Sequence, residues 1–281
     1  MGGVLVVVHH HREEASNLAR ELVAHLSAAG RTAYLPAQDA ALLGLAPYGV
    51  EDLTTVDVDL AVSVGGDGTM LRTVDLVAAQ DVPVFGVHVG QLGYLVEVEP
   101  SATYEAVTRF FSGDFTIQER MRLQVHVEGA PDLGGTALNE AVLEKAPLGH
   151  TVRLGVSVDG AHFTTYTADG LIVATPTGST AYSLSARAPI VAPGHRALVL
   201  TPVAPHSLFD RSLVLDPNSL VRVEVTSYRP AKVFLDGRDA ASLDEGMAVI
   251  CTASPHPARF VTFEPRSFLG ILKAKFGLLD R

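Results

Sequence analysis

The chain has 281 residues, 47% of them hydrophobic, with no tryptophan, one cysteine and a net charge of −10. That length supports one large domain or two medium ones, and the hydrophobic content excludes a disordered chain. The acidic balance, with no basic run on any predicted helix, excludes a nucleic-acid footprint. The lone Cys251 excludes an internal disulfide and a cysteine-rich zinc site and fits a reducing cytoplasm.

Residues 4–8 form a continuous apolar run of the buried-strand type. These first residues lack the charged leader and cleavage site of a signal peptide, and no apolar stretch reaches membrane-spanning length, so no membrane association is expected. Ala15, Leu18, Ala19, Leu22, Val23 and Leu26 then recur on one helical face before Gly30 ends it. Residues 32–35 and 60–64 read as strands, 69–79 as a helix, 82–87 as a strand and 101–111 as a closing helix. Strands alternating with helices imply a Rossmann-like α/β domain, a parallel sheet covered on both faces.

From about residue 115 the pattern changes to short segments rich in Val, Leu, Thr and Phe: 123–127, 154–158, 171–174, 197–201, 220–226, 232–235 and 248–252. This half reads as all-β and sandwich-like, with Asp159-Gly160 and Asp236-Gly237 as hairpin turns. Residues 268–279 regain helical character and are expected to return to the first domain. The expected division is 1–114, completed by 265–281, and 115–264.

Gly65, Gly66, Asp67, Gly68 and Thr69 stand where the strand at 60–64 meets the following helix. Glycines remove the side chains that would hold a phosphate off the backbone, and a helix start at Thr69 offers unpaired N–H groups. Asp67 would repel a phosphate unless it orients a hydroxyl or works with a divalent cation, which points to phosphoryl transfer onto an alcohol. A tight turn capped by aspartate is the plainer reading of the same residues.

Residues 136–143 place Asn139 and Glu140 side by side in an apolar, strand-like run, so one of the two is expected to meet the core and need a partner. Downstream, Asp169 precedes the buried strand at 171–174, followed by Thr175, Thr177, Ser179 and Thr180, four hydroxyls in six residues, and a short helix near Ser179. Such a loop suits sugar hydroxyls and phosphate oxygens. His9, His10 and His11 read as a solvated strand end rather than a metal site, since no carboxylate at ligand spacing accompanies them. His206 reads as a packed or capping histidine, and Arg238, beside its turn, faces either an anion or solvent.

Together Gly65 to Thr69, the stretch Gly86-Val87-His88-Val89-Gly90-Gln91-Leu92-Gly93-Tyr94-Leu95, Asn139-Glu140 and residues 169–185 resemble the NAD kinase family in order and spacing over nearly the whole chain. The glycine-aspartate motif is shared with lipid kinases and phosphofructokinases; the other segments are more specific. The resemblance implies phosphorylation of the 2′-hydroxyl of the adenosine ribose of NAD by ATP or another phosphate donor such as polyphosphate, with a divalent cation, Mg2+. It implies that Asp67 holds or deprotonates that hydroxyl and that Gly68 and Arg72 line the phosphates. Asn139 and Glu140 would contact the dinucleotide, Asp169 with Thr180, Ala181, Tyr182, Ser183, Leu184 and Ser185 would hold its ribose and base portions, and Arg238 would lie near it. It also implies a site between the two domains and assembly as a homodimer or homotetramer.

The chain departs from the family pattern at His88, where asparagine is usual, and at Arg187-Ala188, where two glycines are usual. If position 187 needs a positive φ, arginine there costs on the order of 1 kcal/mol or more in strain; alternatively its guanidinium adds an anion contact. The Arg187-Ala188 departure leaves one competitor to an active kinase, a catalytically weak paralogue that binds NAD or NADP as a sensor; a lipid kinase, which shares the glycine-aspartate motif, is a third reading without an amphipathic membrane element to support it.

Overall fold

Val4, Leu5, Val6 and Val7 are completely buried and form the middle of a parallel sheet, as an apolar run without polar alternation requires. The computed structural model describes residues 2–90, 93–146, 150–264 and 267–278. Gln91 and Leu92 of the second glycine motif lie outside the described residues.

In chain order the first elements are β1 (Gly3–Val8), α1 (Glu13–Ala28), β2 (Ala33–Pro36), α2 (Ala37–Leu43), β3 (Gly49–Val50) and β4 (Val58–Gly65). Then come α3 (Asp67–Leu76), β5 (Val84–His88), α4 (Thr103–Ser112) and β6 (Thr116–Arg120). An antiparallel region follows: β7 (Leu123–Val127), β8 (Ala130–Ala137), β9 (Glu140–Lys145), β10 (Val152–Val158), β11 (Ala161–Ala168) and β12 (Gly170–Ala174). It continues through α5 (Tyr182–Ser185), β13 (Leu198–Val203), β14 (Leu213–Leu215), β15 (Val221–Val225), β16 (Ala231–Leu235), β17 (Arg238–Leu243) and β18 (Ala248–Ala253). The chain ends in β19 (Ala258–Thr262) and α6 (Phe268–Phe276).

Two compact units result, residues 1–119 with 258–281, and residues 120–257. The crossings thus fall at 119/120 and 257/258 rather than the expected 114/115 and 264/265, because β6 and β19 are neighbours at the edge of the first unit's sheet.

The first unit's sheet runs β3-β2-β1-β4-β5-β19-β6. Its order reverses between β1 and β4, which pair in parallel from Gly3 to Val8, and ligands bind such sheets outside the carboxyl ends of the strands at the reversal. Leu22, Val23 and Leu26 of α1 pack with Val6, Val62 and Phe85 in one core. The second unit stacks two six-stranded antiparallel sheets, β11-β10-β15-β18-β7-β8 and β14-β13-β12-β9-β16-β17, whose inner faces share a core that includes Val125, Leu154, Val223, Leu143 and Val173. Strand β12 is buried on both faces because Ala188 and Val191 cover Ile172 and Ala174 from outside.

Both expected hairpins form, with positive φ at Asp159, Gly160, Asp236 and Gly237, the backbone that twisted two-residue turns demand. The run at 136–143 is not one strand: β8 stops at Ala137 and β9 starts at Glu140, in different sheets. Among the described residues no helix is long and apolar enough to cross a membrane.

Candidate active site

Helix α3 begins two residues before the expected Thr69, with Gly66 as its extended N-cap, so Asp67 is the first helical residue. Its carboxylate is fixed by two backbone donors, Tyr94 N–H to Oδ2 at 2.7 Å and Leu95 N–H to Oδ1 at 2.9 Å. These donors explain the second glycine motif. A Cβ at Gly93 would sit 1.9 Å from Asp67 Oδ1, so any side chain there would displace the carboxylate. Burial first, then the Asp67 charge, raise the Tyr94 hydroxyl above its ordinary value.

Asp67 opens onto a cavity of about 560 Å³ at the carboxyl ends of β1 and β4, lined also by Gly66, Gly68, Thr69, Arg72, Arg12, Lys275 and the three histidines. Asp67 is its only acidic lining residue among those described. The expected Gly66, Asp67, Gly68, Thr69 and Arg72 are therefore brought together, with Gly65 closing β4 just before them. His9, His10 and His11 do end a strand, but they line this cavity rather than only meeting water. His88, one of the departures, places Nε2 2.7 Å from Glu99 Oε1, away from the cavity lining.

Two residues outside the sequence motifs bear on this cavity, one by holding Arg72 from behind and one by lining it. Asp39 of α2 is wholly buried and accepts from Val8 N–H at 3.0 Å and from Arg72 Nη1 at 3.2 Å, with His10 Nε2 3.4 Å away. The signal was one carboxylate inside the apolar stretch from Ala37 to Leu43. Lys275 comes from the tail helix, its Nζ 5.4 Å from the Tyr94 ring centroid.

In the second unit Glu140 is the member of the Asn-Glu pair that turns inward, 7% exposed, while Asn139 is half-buried. Asp236, also not singled out beyond its turn, accepts from the N–H groups of Leu138 at 2.7 Å, Asn139 at 2.9 Å and Glu140 at 3.1 Å. Thr175 binds the same crossing from its other side, its N–H donating to Asn139 O at 2.8 Å and its hydroxyl to Leu138 O at 2.5 Å.

The hydroxyl-rich loop is largely self-satisfied. Ser179 Oγ donates to Pro176 O at 2.7 Å and accepts from Val191 N–H at 2.9 Å, and Thr180 Oγ1 donates to Thr177 O at 3.2 Å. Thr177 Oγ1 and Ser183 Oγ are buried without a partner among the described residues. The predicted helix near Ser179 is a single 3-10 turn over Thr177–Thr180 followed by α5, which carries Tyr182, Ser183, Leu184 and Ser185, with Ala181 at its N-cap.

Asp169 and Thr175 flank β12, six residues and about 20 Å apart at ~3.4 Å per residue. Asp169 pairs with Lys145 Nζ at 2.5 Å. Burial first, then the nearby carboxyls of Glu144, Asp169 and Glu140, raise the Tyr182 hydroxyl above its ordinary value. Arg238 follows the Asp236-Gly237 turn, its Nη2 3.4 Å from Thr136 O. Arg187 adopts φ 65° and is exposed, and Ala188 is buried against β12.

The family model for the ATP-NAD kinase N-terminal domain matches residues 4–115, and that for the ATP-NAD kinase C-terminal domain matches residues 138–263. The chain is similar to the NAD kinase of Porphyromonas gingivalis, 37% identical over 272 residues that cover 94% of each chain. It is similar to that of Heliobacterium modesticaldum, 41% identical over 221 residues, 78% of each chain. Among solved structures it resembles yeast NADH kinase complexed with NADH, with a TM-score of 0.90 and 26% identity over 99% of this chain and 88% of that one. It also resembles an NAD kinase from Archaeoglobus fulgidus in complex with ATP, with a TM-score of 0.74 and 26% identity over 93% and 94%. With both domain models matched and relatives of this identity over nearly its whole length, the chain belongs to the NAD kinase family of phosphotransferases.

Proposed function

We propose that the chain transfers the terminal phosphate of ATP to the 2′-hydroxyl of the adenosine ribose of NAD, forming NADP. The observation that carries this reading is Asp67, the single carboxylate among the described lining residues, fixed by two amides at a helix start in a cavity that also holds the cations Arg12, Arg72 and Lys275. The NADH and ATP in the two similar structures supply the substrate classes.

In this reading Asp67 accepts the hydrogen bond of the 2′-hydroxyl and aims its oxygen at the terminal phosphorus. As the new P–O bond forms, the bond to the bridging oxygen breaks, ADP leaves with the electron pair, and the hydroxyl proton passes to an Asp67 oxygen. Such transition states are loose, so positioning and charge balance supply most of the acceleration. Arg72, Arg12, Lys275 and the first-turn amides of α3 supply that balance. Asn139, Glu140, Asp169, Arg238 and Thr180 to Ser185 serve the dinucleotide.

A divalent cation, Mg2+ by its preference for phosphate oxygens, fits as a passenger of the donor. Among the described residues no group of three His, Cys, Asp or Glu side chains forms a cage, and Asp67 is the one cavity carboxylate that would hold it. A cation held there would supply charge neutralisation at the phosphate. The same reading carries a homodimer or homotetramer in a reducing cytoplasm, where the buried Cys251 stays a thiol.

The test is incubation with NAD, Mg2+ and either ATP or polyphosphate, with product coupled to an NADP-specific dehydrogenase. NADP above a heat-killed control is expected with ATP. No NADP with either donor overturns the reading.

A further inference from the structure

Residues 138–140 carry the chain from the sheet that holds β8 to the sheet that holds β9. Leu138 and Asn139 lie between strands and Glu140 opens β9, and Asp236 supplies the acceptors for the amides of all three in succession. Asp236 is itself at φ 47° in the β16–β17 turn and donates its N–H to Glu140 O at 3.1 Å. One residue thus grips the backbone of Glu140 at both its N–H and its carbonyl.

Glu140 Oε2 is buried with no hydrogen-bond partner among the described residues, and its carboxyl receives one backbone donor, Tyr182 N–H. Burial and then Asp236 push Glu140 up to about 8, and burial also raises Asp236. Of these two neighbouring carboxyls, Asp236 has three amide donors and Arg238 nearby, whereas Glu140 has one donor. Amide donors favour the ionised form, so of the two Asp236 is the better placed to hold the charge and Glu140 the proton. The other charges around them are Asp169 and Glu144, which act on the Tyr182 hydroxyl, and Lys145, which is paired with Asp169.

We propose that Asp236 is a positioning residue of the dinucleotide half-site, fixing Asn139 and Glu140 at the sheet crossing and making Glu140 present a carboxylic O–H to an acceptor atom of the dinucleotide. A buried carboxylic acid kept neutral as a donor is an established device of active sites. The proposal rests on NAD as the acceptor substrate but not on turnover, so calorimetric titration of NAD tests it even if no NADP is made.

The sign follows from the proton. As pH rises through 8 the acid ionises, the donor is lost and a negative charge faces the acceptor, so wild-type affinity for NAD falls between pH 7 and 9. Glu140→Gln keeps a donor that does not titrate. It should bind NAD about tenfold more tightly than Glu140→Ala at pH 7 and show no fall between pH 7 and 9. Asp236→Asn removes the neighbouring charge, so the fall in affinity should begin at lower pH than in the wild type. Gln as damaging as Ala, a flat wild-type profile, or no NAD binding at all overturns the proposal, and the Glu140 pair decides it even if Asp236→Asn does not fold.

Discussion

The wholly buried carboxylate of Asp39 is gripped by the guanidinium of Arg72, with Nη1 3.2 Å from Oδ2 and Nη2 bonded to Oδ1. Val8 N–H adds a third donor at 3.0 Å, tying the pair to the end of β1. Arg72 keeps 33% of its side chain exposed and lines the phosphate cavity, so the buried acid aims an exposed cation. Replacing Asp39 by alanine should cost about 2–3 kcal/mol, less than the roughly 3–5 kcal/mol for breaking a fully buried pair, because the freed guanidinium can hydrate. Denaturant unfolding reads the first effect. Steady-state kinetics should show the KM for ATP rising more than the KM for NAD; equal rises would mean that Asp39 does not serve the donor.

Gly178 approaches the backbone of Asn139 so closely that a Cβ would lie 2.1 Å from its carbonyl oxygen and 2.5 Å from its carbonyl carbon. Backbone cannot swing aside as a side-chain tip does. Gly178→Ala should therefore cost about 1–3 kcal/mol of stability and displace Asn139, weakening NAD binding while ATP binding persists. Calorimetry with each nucleotide separates these effects, and undiminished NAD affinity would show that Asn139 is not a contact.

Arg187 adopts φ 65°, a left-handed backbone that costs a non-glycine residue about 1–2 kcal/mol. Arg187→Gly removes that strain but adds freedom to the unfolded chain, so a net gain of about 0.5–1 kcal/mol is expected, read as a Tm rise of roughly 1–3 °C. A lowered Tm would mean that the guanidinium makes a contact worth more than the strain. If turnover also rises several-fold, the strain holds back activity as well as stability.

Local signals carried most of the fold. Continuous burial in β1, the helical spacing of α1 and the two Asp-Gly turns are each decided within a few residues, and all were legible. The carboxylate at Asp67 was legible too, because glycines and one acid at a strand end are a local pattern. The failures share one cause. The run at 136–143 splits because Asp236, far along the chain, satisfies the amides of the crossing, and no local pattern signals that rescue. The density of hydroxyls near Thr175 was visible, but not that Thr175, Ser179 and Thr180 donate to nearby carbonyls. Asp39 carries no local signal of its role because its partner Arg72 comes from another helix, and a buried acid is recognisable only with its counterion.

The central claim is that Asp67 serves the chemical step of 2′-phosphorylation, and Asp67→Asn tests it most directly. The amide matches the carboxylate in size and keeps one acceptor for the Tyr94 and Leu95 N–H groups, but it gives up the other and cannot take the hydroxyl proton. Wild type and variant should be compared by NADP formation with ATP and Mg2+, and by calorimetric binding of NAD. Turnover should fall by about two orders of magnitude or more while NAD affinity changes only several-fold. An unchanged turnover, or a loss wholly accounted for by weakened NAD binding, would contradict the account.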